Sequence, residues 1–241
     1  MPTWLRAAAM KQLALDIGLV TGPTLANFFA GPNEAALQHL RLWAGAGSSQ
    51  TTRSPVPTYL WGETGSGKSH LLKAVRAALR EQGASVGWFE PALHEPPEFD
   101  ERWSAVLLDG VHLYSTAQQA MAFNWFVNAI SPGSGTQRWV LAAGSLPPAD
   151  LPLRDDLRSR LGWGHVFQLH ALDEAARRAV LRQEADARGI FLGDEMMDYM
   201  LSRFSRDLGS LMQLLNQLDA YALQTQRAIT IPLLKAMLES A

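Results

Sequence analysis

Residues 62 to 69 of this 241-residue chain, Gly62-Glu63-Thr64-Gly65-Ser66-Gly67-Lys68-Ser69, carry the spacing G-x-x-x-x-G-K-[ST]. That set of residue types is suited to holding a polyphosphate. Glycines let successive backbone N–H groups turn inward around phosphate oxygens, the lysine reaches the β- and γ-phosphates, and the serine hydroxyl can ligate Mg²⁺. A helix opening at the end of the loop, with His70 in its first turn, directs its positive end at the same anion. The bland alternative is a glycine-rich turn ahead of an ordinary helix.

Other residues could complete such a site. Ala105-Val-Leu-Leu-Asp109 reads as an apolar strand ending in an acid. In a parallel sheet Asp109 would emerge at the carboxyl edge beside the loop, where it can hold Mg²⁺ through water. This is the Walker B pattern, against the plainer reading of a strand-capping aspartate. Autonomous ATPases usually carry a second acid directly after the first to orient water; here that position is Gly110. Ser145, just past the strand Trp139-Val-Leu-Ala-Ala, could face a γ-phosphate or be a turn serine. Phe28 and Phe29 could wall an adenine pocket or be core. Arg158 and Arg160 lie on a short charged helix that could simply face solvent.

The elements that must position these residues are legible in order. Tyr59 to Trp61 read as a buried strand into the loop, and Leu71, Leu72, Val75, Ala78 and Leu79 as one helical face ending before Gly83. Further strands follow at 86–89, 105–109, 139–143 and 166–169. Ser115-Thr-Ala-Gln118 resembles a capping box opening a helix to about 129. An earlier helix carries Leu37, Leu40 and Trp43, and residues 44–57 have loop composition. From Asp173 onward the pattern is helical only: to Arg188, Asp194 to Phe204, Asp207 to about Thr225, and a last helix with Pro232 in its first turn. The expected fold is α/β, a five-stranded parallel sheet flanked by helices and followed by a small all-α domain.

Composition narrows the classes. Hydrophobic residues make up 47%, enough for a sizeable core, and the net charge of −2 argues against a surface that binds polyanions throughout. With no cysteine, neither a disulfide framework nor a thiolate metal site is available, and the six histidines lack zinc-ligand spacing. No apolar run approaches a membrane span, and the first residues lack the pattern of a signal peptide, so a cytoplasmic protein is expected. Gln12, Leu13, Leu15, Asp16 and Ile17 would form a short extended peptide with a polar hook and apolar anchors, suited to a partner's groove or to packing as an N-terminal strand of its own domain. Met10 is a second plausible start.

Taken together, the chain resembles the AAA+ proteins, and within them the DnaA/Hda family of bacterial replication-initiation proteins, over essentially its whole length from Lys11. The most specific marks are Asn27-Phe-Phe-Ala-Gly-Pro-Asn33, the loop at 62–69, Ser159-Arg-Leu-Gly-Trp-Gly164 and Ile229-Thr-Ile-Pro-Leu233. The resemblance implies that Arg160 is an arginine finger reaching a neighbour's nucleotide, that Arg206 is the sensor 2 arginine of the lid, and that Ser145 is sensor 1. It implies a nucleotide-binding domain over 21–171, a lid over 172–241 and, over 1–20, a peptide similar to the one by which Hda-like members bind the β sliding clamp. The chain stops where DnaA continues into a helix-turn-helix domain. The expected partners are therefore DnaA and the clamp, with DNA contacted mainly through the clamp, no membrane, and a homo-oligomer left open; the expected place is the cytoplasm, at the nucleoid through the clamp. The expected cofactors are ADP or ATP with Mg²⁺. Gly110 departs from the Walker B pattern, so the resemblance predicts nucleotide binding with weak or absent intrinsic hydrolysis, and activation of ATP hydrolysis on DnaA. The alternative is an autonomous ATPase of the helicase-loader type; a DNA-binding initiator fits the charge and the missing C-terminal domain poorly.

Overall fold

Strands that are apolar on both faces need cover on both sides, and the computed structural model supplies it. The structure describes residues 22–44, 56–131, 138–204 and 208–239. Helix α1 (Glu34–Ala44) precedes strand β1 (Thr58–Trp61), and α2 (Lys68–Glu81) follows the phosphate loop. Next come β2 (Ser85–Phe89), β3 (Trp103–Leu108), α3 (Thr116–Ile130), β4 (Trp139–Gly144), α4 (Asp155–Leu161) and β5 (His165–Gln168). The five strands form one parallel sheet in the order β2-β3-β4-β1-β5. In such a sheet ligands bind beyond the carboxyl ends of the strands, and the phosphate loop leaves β1 at that edge, with β4 on one side and β5 on the other.

Side chains alternate across the sheet, as the pleat requires. Leu60, Ala105, Leu107, Leu141 and Ala143 pack with α1 and α2 on one face. Tyr59, Val106, Leu108, Val140 and Ala142 pack on the other with α3 and with Leu157 and Leu161 of α4. The phosphate-loop helix and the helix carrying Arg160 therefore cover opposite faces. The capping box at the start of α3 forms in full: Gln118 N donates to Ser115 Oγ and Ser115 N to Gln118 Oε1.

Helices α5 (Glu174–Ala187), α6 (Asp194–Arg203), α7 (Leu208–Thr225) and α8 (Ile231–Glu239) follow. They enclose a cluster of their own that includes Leu181, Met197, Met200, Leu211, Leu215, Leu218, Leu233 and Leu234, all buried. Asp173 caps α5 through Ala176 N at 2.7 Å. Strand ends differ from the sequence expectation by one or two residues; β3 stops at Leu108, so Asp109 sits just past the strand. Most of the expected loop over 44–57 lies outside the described residues, and Ala44 itself closes α1. No helix among the described residues is long and apolar enough to cross a membrane.

Candidate functional site

The glycine-rich loop at 62–69 is tied together by its own lysine. Lys68 Nζ donates to the carbonyls of Gly62 and Glu63, each at 2.7 Å, and to Ser66 Oγ at 3.3 Å. Burial lowers its pKa, partly opposed by the charge of Asp109. Thr64, Gly65 and the buried Ser66 form the turn between these anchors. Gly67, which caps α2, has φ +93°, a conformation costly for any residue with a Cβ. A Cβ there would also come within 2.6 Å of Phe28 Cε2.

Ser69 Oγ donates to Asp109 Oδ1 at 3.0 Å, which brings together the two residues expected to serve Mg²⁺. Burial raises the Asp109 pKa, while the Ser69 hydrogen bond and Lys73 work against it. A divalent cation held through this pair would favour the carboxylate. Among the described residues no group of three or more acids or histidines could hold a metal alone, so such an ion needs ligands from a nucleotide and water. The donor set fits Mg²⁺–nucleotide.

Gly110 sits at φ +64° and opens a 3₁₀ turn over Val111–Leu113. A Cβ at Gly110 would meet Pro91 Cγ at 3.1 Å. The backbone directly after Asp109 is thus shaped for glycine, and an acid there would be strained. Ser145 lies half-buried immediately past β4. Its loop is anchored by Tyr59, whose hydroxyl donates to the Leu146 carbonyl at 2.8 Å.

The two phenylalanines separate. Phe28 is half-buried against the core and its ring lies 5.5 Å from that of His70, whereas Phe29 is 37% exposed. His70 Nε2 faces two acceptors, the Thr24 carbonyl at 3.1 Å and Asn27 Oδ1 at 3.0 Å, so it carries the proton. Burial lowers the His70 pKa against the pull of that Thr24 bond. The segment at 22–30 is in this way tied to the first turn of α2. Asn33, only 3% exposed, exchanges two hydrogen bonds with the backbone of His170 (2.9 and 2.8 Å), joining the start of α1 to the chain after β5. A bond spanning that sequence distance leaves no local signal.

On α4 and its cap, three arginines differ in their partners. Arg154 pairs with Asp156 at 2.7 Å and Arg158 with Asp155 at 2.6 Å. Arg160 has no acidic partner among the described residues; its guanidinium stands 5.2 Å over the Phe123 ring, as does that of Arg154. Trp163, two residues beyond the helix, is 67% exposed. Phe123 carries no signal of this role in the sequence, because only the fold brings α3 beside α4. Gln12, Leu13, Leu15, Asp16, Ile17 and Arg206 lie outside the described residues.

Residues 173–238 match the family model described as the Hda lid domain. An uncharacterised protein of Haemophilus influenzae is 33% identical over 237 residues, covering 95% of this chain and 98% of that protein. Domain III of the Thermotoga maritima replication initiation protein DnaA superposes with a TM-score of 0.67 at 22% identity, over 90% of this chain and 95% of that one. AMPPCP-bound DnaA from Aquifex aeolicus gives 0.61 at 22% identity, over 82% of this chain and 65% of that one.

Proposed function

The chain belongs to the Hda/DnaA-related AAA+ proteins, and from that premise we propose that it is a nucleotide-bound regulator that stimulates hydrolysis of DnaA-bound ATP from the DNA-loaded sliding clamp. The observation that carries this reading is Arg160: an arginine with no acidic partner among the described residues, on a helix that covers the sheet face opposite the phosphate-loop helix. That placement suits action on a neighbour's nucleotide better than on its own.

In this reading residues 21–171 are the nucleotide-binding domain, 172–241 the lid and 1–20 the clamp peptide. The loop 62–69 holds ADP or ATP, with Ser69 and Asp109 serving Mg²⁺, Ser145 and Arg206 facing the phosphates, and Phe28, Phe29 and His70 at the base end. A bound phosphate would replace the carbonyls that Lys68 now contacts. Gly110, in a backbone conformation that disfavours an acid, supports weak intrinsic turnover. The nucleotide, ADP in the leading form of the proposal, then acts as a structural ligand.

The chemistry takes place on the partner. Arg160 inserts beside the γ-phosphoryl oxygens of ATP held by DnaA and offsets the charge that develops there. Arginine fingers supplied in trans give on the order of 10³ to 10⁵ in rate, or roughly 4 to 7 kcal/mol of barrier. Gln12 to Ile17 dock on the clamp and restrict the encounter to loaded DNA. The test is turnover of preloaded ATP–DnaA, with and without DNA-loaded clamp, by intact protein and by a Gln12→Ala/Leu15→Ala variant. Stimulation that needs both the clamp and the intact peptide is expected. ATP turnover by this protein alone, with none on DnaA, would overturn the reading in favour of a helicase-loader-type ATPase.

A further inference from the structure

Elsewhere in the chain Arg102, Arg154, Arg158, Arg178, Arg182 and Arg188 each pair with an acid. Helix α2 carries three cations that do not. Lys73, Arg76 and Arg80 stand at i, i+3 and i+7, along one side of the helix. None of them has an acid at ion-pair distance among the described residues. The helix buries Leu71, Leu72, Val75 and Leu79 against the sheet, while Lys73 and Arg80 are exposed and Arg76 is half-buried. A net charge of −2 for the whole chain conceals this stripe.

The middle cation is held in place by an aromatic ring. The Arg76 guanidinium stands 4.9 Å over Trp88 of β2, the outermost strand on that side of the sheet, and its Nε is enclosed without a hydrogen-bond partner. Its terminal nitrogens make no hydrogen bond within the described residues, so the fork is oriented by the ring and still has its donors to give. Arg76 also feels the charge of Arg80, a like charge, and that of Glu90, which does not close to an ion pair. Glu81 adjoins Arg80 in sequence. The acids of the loop after β2, Glu95 and Glu98, belong to a segment fastened to the other face of the sheet, where Gln118 and Trp125 of α3 donate to the carbonyls of Pro91, Leu93 and Pro97. The stripe is therefore a local excess of positive charge on an exposed helix side.

We propose that Lys73, Arg76 and Arg80 form a contact for the phosphodiester backbone of duplex DNA, made by charge and without reading bases. Seven residues of helix span about 10 Å, the length of axis over which one strand of a duplex carries about three phosphates. Three cations thus meet three phosphates. Single strands are held on aromatic platforms, but the ring at this place, Trp88, is half-buried with a guanidinium over it. A membrane surface calls for large apolar side chains beside the cations, and the residue between Lys73 and Arg80 on this side is Ala77. The inference goes beyond the proposed function, in which DNA is met through the clamp, and it needs neither the clamp nor a bound nucleotide. Three phosphate contacts bind weakly in free solution, which suits a protein already held at DNA by another contact, where the effective concentration is high.

The test is fluorescence anisotropy of a short labelled duplex of mixed sequence, titrated with the full chain over a salt series without clamp or nucleotide. Intact protein should bind at low salt, with log affinity falling against log salt at a slope of about −2.7 for three contacts. Arg76→Gln/Arg80→Gln is expected to lose on the order of tenfold in low-salt affinity and about 2 units of slope. Lys73→Gln/Arg80→Gln, which touches only exposed residues, should do the same and so separates the contact from a fault in folding. Arg102→Gln/Arg178→Gln changes the net charge equally but removes arginines that already have acids, and it should leave both affinity and slope as they are. No duplex binding by intact protein at low salt would overturn the proposal, as would unchanged slopes in both α2 variants or an equal loss in the control. Tighter binding to a single strand of the same length, or to phosphatidylserine vesicles, would overturn the choice of duplex DNA.

Discussion

Lys68 gives its ammonium to three acceptors of its own loop, whereas Arg160, on the opposite face of the sheet, has an aromatic ring for a neighbour and no acid among the described residues. Each region presents a cation from a short polar stretch of the α/β domain. The difference lies in how each cation is satisfied. Under the proposed function, an anion entering the loop at 62–69 competes with bonds already made, so the site is shaped before it is filled. On α4, Asp155 and Asp156 are taken by Arg158 and Arg154, and the cation left over is the one the family resemblance assigns to a neighbour's nucleotide. In the proposed function the contrast is between a site that holds and a group that reaches.

Breaking the holding side should give the larger binding effects. Lys68→Ala removes the loop's only ammonium donor and should weaken nucleotide binding by about a hundredfold, on the scale of hydrogen bonds to charged groups; titration calorimetry against ADP would show it, and binding within a few-fold of the intact protein would mean that the loop does not work through Lys68. Gly67→Ala puts a Cβ on a left-handed residue and against Phe28, so it should cost about 1 to 3 kcal/mol in denaturant unfolding, with nucleotide affinity falling as the Phe28 contact shifts.

Acid should loosen the tie between the N-terminal segment and α2. His39, His70 and His112 all lie below the ordinary histidine pKa of 6.5, in each case first through burial. Their neutral forms are the native ones. As the pH falls through 6.5 the unfolded chain takes up protons before the native one, and stability is lost from there downward. Melting temperatures recorded from about pH 7.5 to about 5.5 should therefore decline, and His70→Gln should flatten part of the slope; a rising curve would contradict the assignment. Arg158→Ala makes the smallest change. It breaks an exposed ion pair worth about 0 to 1 kcal/mol and should leave stimulation of DnaA hydrolysis near the intact level, whereas a large loss would move the reaching role from Arg160 to Arg158.

The sequence exposed the elements whose cause is local. Five apolar strand stretches, the glycine spacing of the loop and the Ser115–Gln118 capping box depend on neighbours within a few residues, and all three are found in the structure. What could not be read depends on contacts between distant segments. Phe28 and Phe29 look alike in sequence, yet one packs on His70 and the other is partly exposed. The Asn33–His170 clasp spans most of the domain, and Phe123 meets Arg160 only because α3 and α4 share a face. The three-residue turn holding His112 is too short to carry a periodic pattern, and its left-handed start shows in sequence only as a glycine.

The most direct measurement is single-turnover hydrolysis of ATP preloaded on DnaA, with DNA-loaded clamp present, comparing intact protein with Arg160→Ala. The variant is predicted to lose on the order of a thousandfold or more in stimulated rate while it binds ADP and clamp as the intact protein does. Equal stimulation by Arg160→Ala, with binding intact, would contradict the assignment of Arg160 as the cation that reaches DnaA's nucleotide.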